Sequence, residues 1–297
     1  MMETQRVAAP DSPLALNLAD LPMMPLVATR IYQMLEDEDV DLPALTKAVQ
    51  TDPAVVARVV KMANSSYYGS RRGIKTLPDA ITTIGLTALR GTVLQAAMQK
   101  LYQPFGPAEL MLWQHANAVA YGAKFLASRM RPSLADEAFL AGLLHDIGML
   151  VLNWTAPGRF SLLLTREEVN PEADFAAEEY EVFKVNHAEV GGRILRKWEF
   201  PEDLITVATH HHDFSGLLSD GFDLQSSTVN LTALVSLADL LCLKLGLGYQ
   251  RYVTAEWEKL PHISILEVNA LFFDKLVDEF QAQSEDEWQD TLSMPTS

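Results

Sequence analysis

Apolar positions recur at helical spacing along most of the chain. From Pro25 onward, Val27, Ile31, Met34 and Leu35 fall at i, i+4, i+7 and i+8, one face of a helix. Leu42, Leu45 and Val49 predict a second short helix behind the acidic turn at residues 36–41. Asp52-Pro53 is a strong start signal, a carboxylate cap followed by proline at the first helical position. Val56, Val59, Val60 and Ala63 form the apolar face of that third helix, and Asn64-Ser65-Ser66 ends it ahead of a loop at Tyr67-Tyr68-Gly69. Thr76 with Asp79 has the spacing of a capping box, and Ile81, Ile84 and Ala88 continue inward from it. Nothing in residues 25–100 alternates with the two-residue period of a strand.

The second half carries the same spacing over residues 109–130, 136–153, 172–185, 188–197, 202–210 and 228–245, with Pro157, Pro171 and Pro201 between segments. Residues 1–20 lack sustained periodicity and contain Pro10 and Pro13, so they are expected to be a mobile leader. Residues 281–297 are polar and acidic and are expected to be a disordered tail. The predicted fold is all-α: an N-terminal bundle of short helices over residues 21–105, packed on a larger helical domain over residues 106–280.

Composition narrows the function classes. With 297 residues and 48% hydrophobic content the chain can bury a large core, which excludes disorder over most of its length. A formal charge of −16 repels nucleic acid and anionic membranes, and Lys61, Arg71, Arg72 and Lys75 read as solvated loop charges. The single cysteine, Cys242, precludes an internal disulfide and lies in an apolar run, as a buried inert thiol would. The first residues lack the pattern of a secretion signal. Residues 231–247, the most apolar stretch, contain Asp239 and Lys244 and are slightly short for a bilayer, so they are expected to form a core helix. The expectation is a cytoplasmic protein with neither nucleic acid nor membrane as partner. Composition does not specify its oligomeric state.

Seven histidines carry the candidate chemistry. His115 lies in a helical segment, His145 and Asp146 are adjacent ahead of Ile147-Gly148, and His187 precedes a helix. His210, His211 and His212 end another, and Asp239 sits inside the apolar segment that follows. Imidazole and carboxylate suit divalent transition metals such as Fe, Mn, Zn or Ni. His115, His145, Asp146 and Asp239 are candidates for one position. His187, His211 and His212 are candidates for a second, with Asp146 bridging. Each histidine taken singly also fits a hydrogen-bonded core residue. Asp239 does not fit so easily, because a buried unpaired carboxylate is costly. His210 reads as a neighbour of the cluster and His262 as a loop histidine.

The order His, His-Asp, His, His-His, Asp resembles the HD superfamily of metal-dependent phosphohydrolases, with Leu143-Leu144-His145-Asp146-Ile147-Gly148 as the signature segment. With His187, His211 and His212 it is similar to the dinuclear subgroup that hydrolyses cyclic di-GMP. Three N-terminal segments resemble instead the HDOD domain: Thr51-Asp52-Pro53-Ala54, the run from Arg58 to Ser65, and Ala80-Ile81-Thr82-Thr83-Ile84-Gly85. The opening Leu21-Pro22 with Met24-Pro25 adds to this resemblance, which spans roughly residues 18–245. The HDOD resemblance implies an HD-like helical fold and a regulatory module of bacterial signalling that binds proteins or a ligand, commonly without catalysis and with several metal ligands missing. This chain keeps more of the ligand set. The alternative it implies is a metal-dependent phosphohydrolase of a nucleotide or cyclic dinucleotide, with Asp146 orienting the attacking water. Met149 stands where the cyclic di-GMP hydrolases have a lysine, and Met111 where some have a glutamate ligand.

Overall fold

Helices are the regular elements throughout the described residues, as the 3.6-residue spacing requires, and these residues contain no strand. The computed structural model describes residues 24, 26–36, 40–65, 68, 73–103, 106–169, 175–219, 221–248 and 260–287. The predicted leader, Leu21-Pro22, Pro25, Tyr67, Gly69, Arg71, Arg72 and the tail beyond residue 287 lie outside them. The chain divides into an N-terminal unit, Pro22–Gly106, and a unit that runs from Pro107 to Ser297.

In the N-terminal unit, α1 (Leu26–Glu36), α2 (Leu42–Gln50), α3 (Pro53–Ala63) and α4 (Leu77–Leu101) enclose a core of Ile31, Leu45, Val49, Val59 and Leu89. Asp52 caps α3, its Oδ1 accepting from the backbone N–H of Ala54 and Val55 at 3.0 and 3.4 Å, and its other oxygen pairs with Lys100. Arg58 of α3 is hydrogen-bonded to Gln99 of α4. Asn64 closes the other end of α3. Its side-chain oxygen accepts from the Ile74 N–H at 2.6 Å, and its amide donates to the carbonyls of Val60 and Ile74, each at 2.9 Å. Thr76 caps α4 by accepting from the Asp79 N–H at 3.3 Å, and its hydroxyl donates to the Asp79 carboxyl at 2.5 Å. The helix kinks at Gly85.

The larger unit contains α5 (Pro107–Met130), α6 (Ala135–Leu144), α7 (Ile147–Thr155), α8 (Pro157–Val169) and α9 (Phe175–Phe183). It continues with α10 (His187–Lys197), α11 (Glu202–His210), α12 (Phe214–Ser219), α13 (Ser227–Leu245), α14 (Pro261–Ile265) and α15 (Ala270–Glu287). Helix α5 packs on α6 and α13, and α10 packs between α7 and α11. Leu126, Leu144, Leu195 and Leu234 are fully buried at these contacts, each worth about 1.5–3 kcal/mol by area. Helix α13 is long and apolar enough to cross a membrane, but 83% of its apolar window is buried inside the unit, as a core helix would be.

Three expectations change. The segment at residues 136–153 is two helices, broken where His145 and Asp146 stand between α6 and α7. The tail expected to be disordered from residue 281 remains helical as far as Glu287, because the Phe273, Leu276 and Phe280 stripe anchors α15 and its polar end continues the same turns. His262 is not a loop residue. It is buried in α14, its Nε2 lying 2.8 Å from the Ser236 hydroxyl and its ring 4.5 Å from that of Phe214.

Candidate metal centre

The seven ligand candidates come from five places in the larger unit and meet in its interior. His115 projects from α5 and Asp239 from α13. The α6–α7 break turns His145 and Asp146 inward, and Asp146 stands at the N-terminus of α7 without capping it. His187 is the first residue of α10, and His211 and His212 follow the last turn of α11. Gly148 makes the α7–α10 approach possible: a Cβ there would collide with the His187 carbonyl.

Two groups of donor atoms result, each within 4.8 Å of its own members: His115, His145 and Asp239 in one, and Asp146, His187, His211 and His212 in the other. Asp146 faces both. Its Oδ2 lies 3.7 Å from His115 Nε2 and 3.3 Å from His145 Nε2. Its Oδ1 lies 3.3 Å from each of His187 Nε2 and His211 Nε2. Asp239 Oδ1 is 3.0 Å from His115 Nε2 and 3.9 Å from His145 Nε2. Two donors bound about 2.1 Å from one ion at right angles lie about 3 Å apart, so these separations have the scale of a shared ion. All the members are buried except His212, whose side chain is 33% exposed.

Four imidazoles are oriented from behind through Nδ1. His115 meets the Leu247 carbonyl at 3.2 Å, His145 that of Gly142 at 2.7 Å, and His211 that of Ala208 at 3.1 Å. His187 meets Glu179 Oε2 at 2.7 Å. These partners require a proton on Nδ1 and present Nε2 inward, the tautomer of a metal-ligating histidine. His187 Nε2 and His211 Nε2 therefore face each other at 3.3 Å, an arrangement that a shared cation between them relieves. The loop behind His115 depends on Gly248, at φ +98°, where a Cβ would strike the His115 backbone.

The electrostatics favour cations. Burial opposes ionisation of Asp146, yet the imidazoles of His145 and His187 hold its carboxyl well below the usual range. Burial likewise opposes ionisation of Asp239, and the His115 hydrogen bond and charge outweigh it. Burial would lower His187, but Glu179 and Asp146 push it up to about 9. His145 is raised too, against burial, by Asp146. Desolvation lowers His211 and His212, with the imidazolium charge of their neighbours acting in the same direction. His145 Nε2 and Asp146 Oδ1 are buried without a hydrogen-bond partner. Such atoms cost about 1–3 kcal/mol each when nothing binds them, and a divalent ion fits both donor groups.

All seven candidate residues converge, and Glu179, which the sequence does not single out, stands behind them. It lies in an acidic run with Glu178 and Glu181, which resembles a solvated face. The available signal was its register with Val182 and Phe183, at i+3 and i+4 on the apolar side of α9. Met149 is fully buried in the first turn of α7, so the position is part of the core. Arg193 pairs with Glu189 at 3.7 Å on the half-exposed side of α10.

Residues 21–214 match the HDOD domain family. The chain belongs to the HDOD family. An HDOD domain protein of unknown function from Geobacter sulfurreducens superposes with a TM-score of 0.72 at 26% identity, over 90% of this chain and 93% of its own. A Marinobacter aquaeolei VT8 protein, provisionally described as acting in signal transduction, has the same fold at a TM-score of 0.72 and 22% identity, covering 93% of this chain and 60% of that one. A provisionally described metal-dependent phosphohydrolase from Shewanella amazonensis SB2B has the fold at a TM-score of 0.57 and 21% identity, over 88% and 91% of the two chains. An uncharacterized protein of Treponema pallidum (strain Nichols) is 25% identical over 214 residues, 71% of this chain, which spans 40% of that relative's length.

Proposed function

We propose that this HDOD chain is a bacterial, cytoplasmic signal-transduction module that works by binding signalling proteins or a ligand and is built around a two-ion divalent metal centre. The observation that carries this reading is Asp146, whose two oxygens face two separate groups of inward-turned donors. His115, His145 and Asp239 would hold one ion, and His187, His211 and His212 the other, with Fe, Mn, Zn or Ni suited to the donor set. The centre would cross-link α5, α7, α10 and α13 and the end of α11, making their arrangement sensitive to occupancy.

A second reading, phosphoester hydrolysis, is favoured by the partial exposure of His212, a member of the Asp146 group that also lies 3.9 Å from Asp239 Oδ2. Bound ions would supply Lewis acidity and an activated water there, with Asp146 orienting that water. Against turnover stands the loss to the core of position 149, so that Met149 brings no cation to a phosphate.

The test is reconstitution of the purified protein with Mn or Fe, dialysis, metal analysis, and assay on a generic phosphodiester and on cyclic di-GMP. Retained ions without hydrolysis are expected. Hydrolysis abolished by Asp146→Ala would replace the regulatory reading with the enzymatic one. Absence of retained metal would remove the centre from both.

A further inference from the structure

Among the four buried imidazoles of the cluster, His187 takes its Nδ1 partner from a side-chain carboxyl, and the other three use backbone carbonyls. Glu179 Oε2 also accepts the backbone N–H of His187 at 3.1 Å, at the first residue of α10. A single, fully buried carboxyl of α9 thus fixes both the ring and the backbone of one ligand. The connection between the two helices is short and shaped. Lys184 adopts φ +62°, and Asn186 caps α10 by accepting from the Glu189 N–H at 2.8 Å. Position 179 is therefore held in fixed relation to position 187. The α10 N-terminus favours negative charge, which helps offset the burial of this carboxyl.

A carboxyl behind an imidazole makes that imidazole a more basic ligand than a carbonyl does. Within the cluster this reinforcement reaches only the group on the Oδ1 side of Asp146. The Oδ2 group is oriented by Leu247 and Gly142, on other segments. The two groups share Asp146 but have separate supports.

We infer that Glu179 is a positioning residue that sets the affinity of the Oδ1-side metal position independently of the Oδ2-side position, so that α9 selects between a one-ion and a two-ion centre. This rests on the two-ion reading above. A helix-capping role alone would alter stability and leave the relative affinities of the two positions unchanged.

The experiment is a Mn(II) titration of the full chain and of its Glu179→Gln and Glu179→Ala variants, read by isotherm and by electron paramagnetic resonance. Circular dichroism tracks the fold alongside. Gln is nearly isosteric and retains an acceptor for the His187 N–H while losing the charge. Wild type is expected to bind two ions with the signature of a coupled pair. In Glu179→Gln one of the two ions loses about 10–100-fold in affinity and the signal becomes that of isolated Mn(II), while the other ion binds as before. Two ions at unchanged affinity in both variants would overturn the inference and leave the two-ion centre standing. Loss of both ions from a folded variant would overturn the independence of the positions. Loss of fold in both variants would assign Glu179 to the architecture alone and likewise overturn it. Wild type that binds no ion would instead overturn the metal centre itself.

Discussion

Both units place polar side chains at motif positions, but they satisfy them differently. In the N-terminal unit Asp52 has two backbone N–H donors and Lys100, and Asn64 has three hydrogen bonds to main chain. In the larger unit His145 Nε2 and Asp146 Oδ1 have no hydrogen-bond partner, although each lies deep in the interior. A polar group whose partners are all supplied by the chain holds elements together. A converging set of imidazoles and carboxylates whose donor atoms lie within 4.8 Å of one another could hold a metal ion.

Substitutions separate the two cases. The largest effect is expected from Asp146→Ala, which removes the shared donor of both groups. Saturating Mn(II) should raise the melting temperature of wild type by roughly 5–15 °C, and that of the variant hardly at all, in a thermal-shift assay with and without chelator. Gly148→Ala forces a Cβ against the His187 carbonyl. It should cost about 3 kcal/mol in urea denaturation and lower metal loading as well.

His262 sharpens the comparison from within the larger unit, as a buried imidazole outside the cluster. Burial lowers it to about 4, so the folded chain binds this proton less readily than the unfolded chain does. Its contribution is present above about pH 6.5 and is lost as pH falls from there through 4, by up to about 3 kcal/mol. Denaturation at pH 7 and pH 4.5 should show this slope, and His262→Gln should reduce it. Asn64→Ala is expected to have the smallest effect of this series, about 1 kcal/mol of stability with the metal content unaltered. A drop in metal content in that variant would break the distinction between the units.

The histidines and aspartates of the cluster were legible as candidates because the order that resembles HD proteins is carried by residue identity, and the structure brings them together in two groups. Helix existence was legible for the same reason that makes amphipathic faces readable. The break between α6 and α7 was not, since Leu143, Leu144, Ile147 and Leu150 continue an apolar run straight through it, and a fully buried segment has no polar face to lose register. Glu179 was hidden by its acidic neighbours. Its burial depends on His187, eight residues away and on the next helix. The helical residues 281–287 lack apolar periodicity of their own and follow from the anchoring of Phe273, Leu276 and Phe280 upstream.

The central claim is that Asp146 bridges two ions, and anomalous diffraction from crystals of the chain grown with Mn(II) tests it most directly. The account predicts two anomalous peaks, one beside each carboxyl oxygen of Asp146, the first among His115, His145 and Asp239 and the second among His187, His211 and His212. Ordered density for all seven side chains with no anomalous peak between them would contradict it.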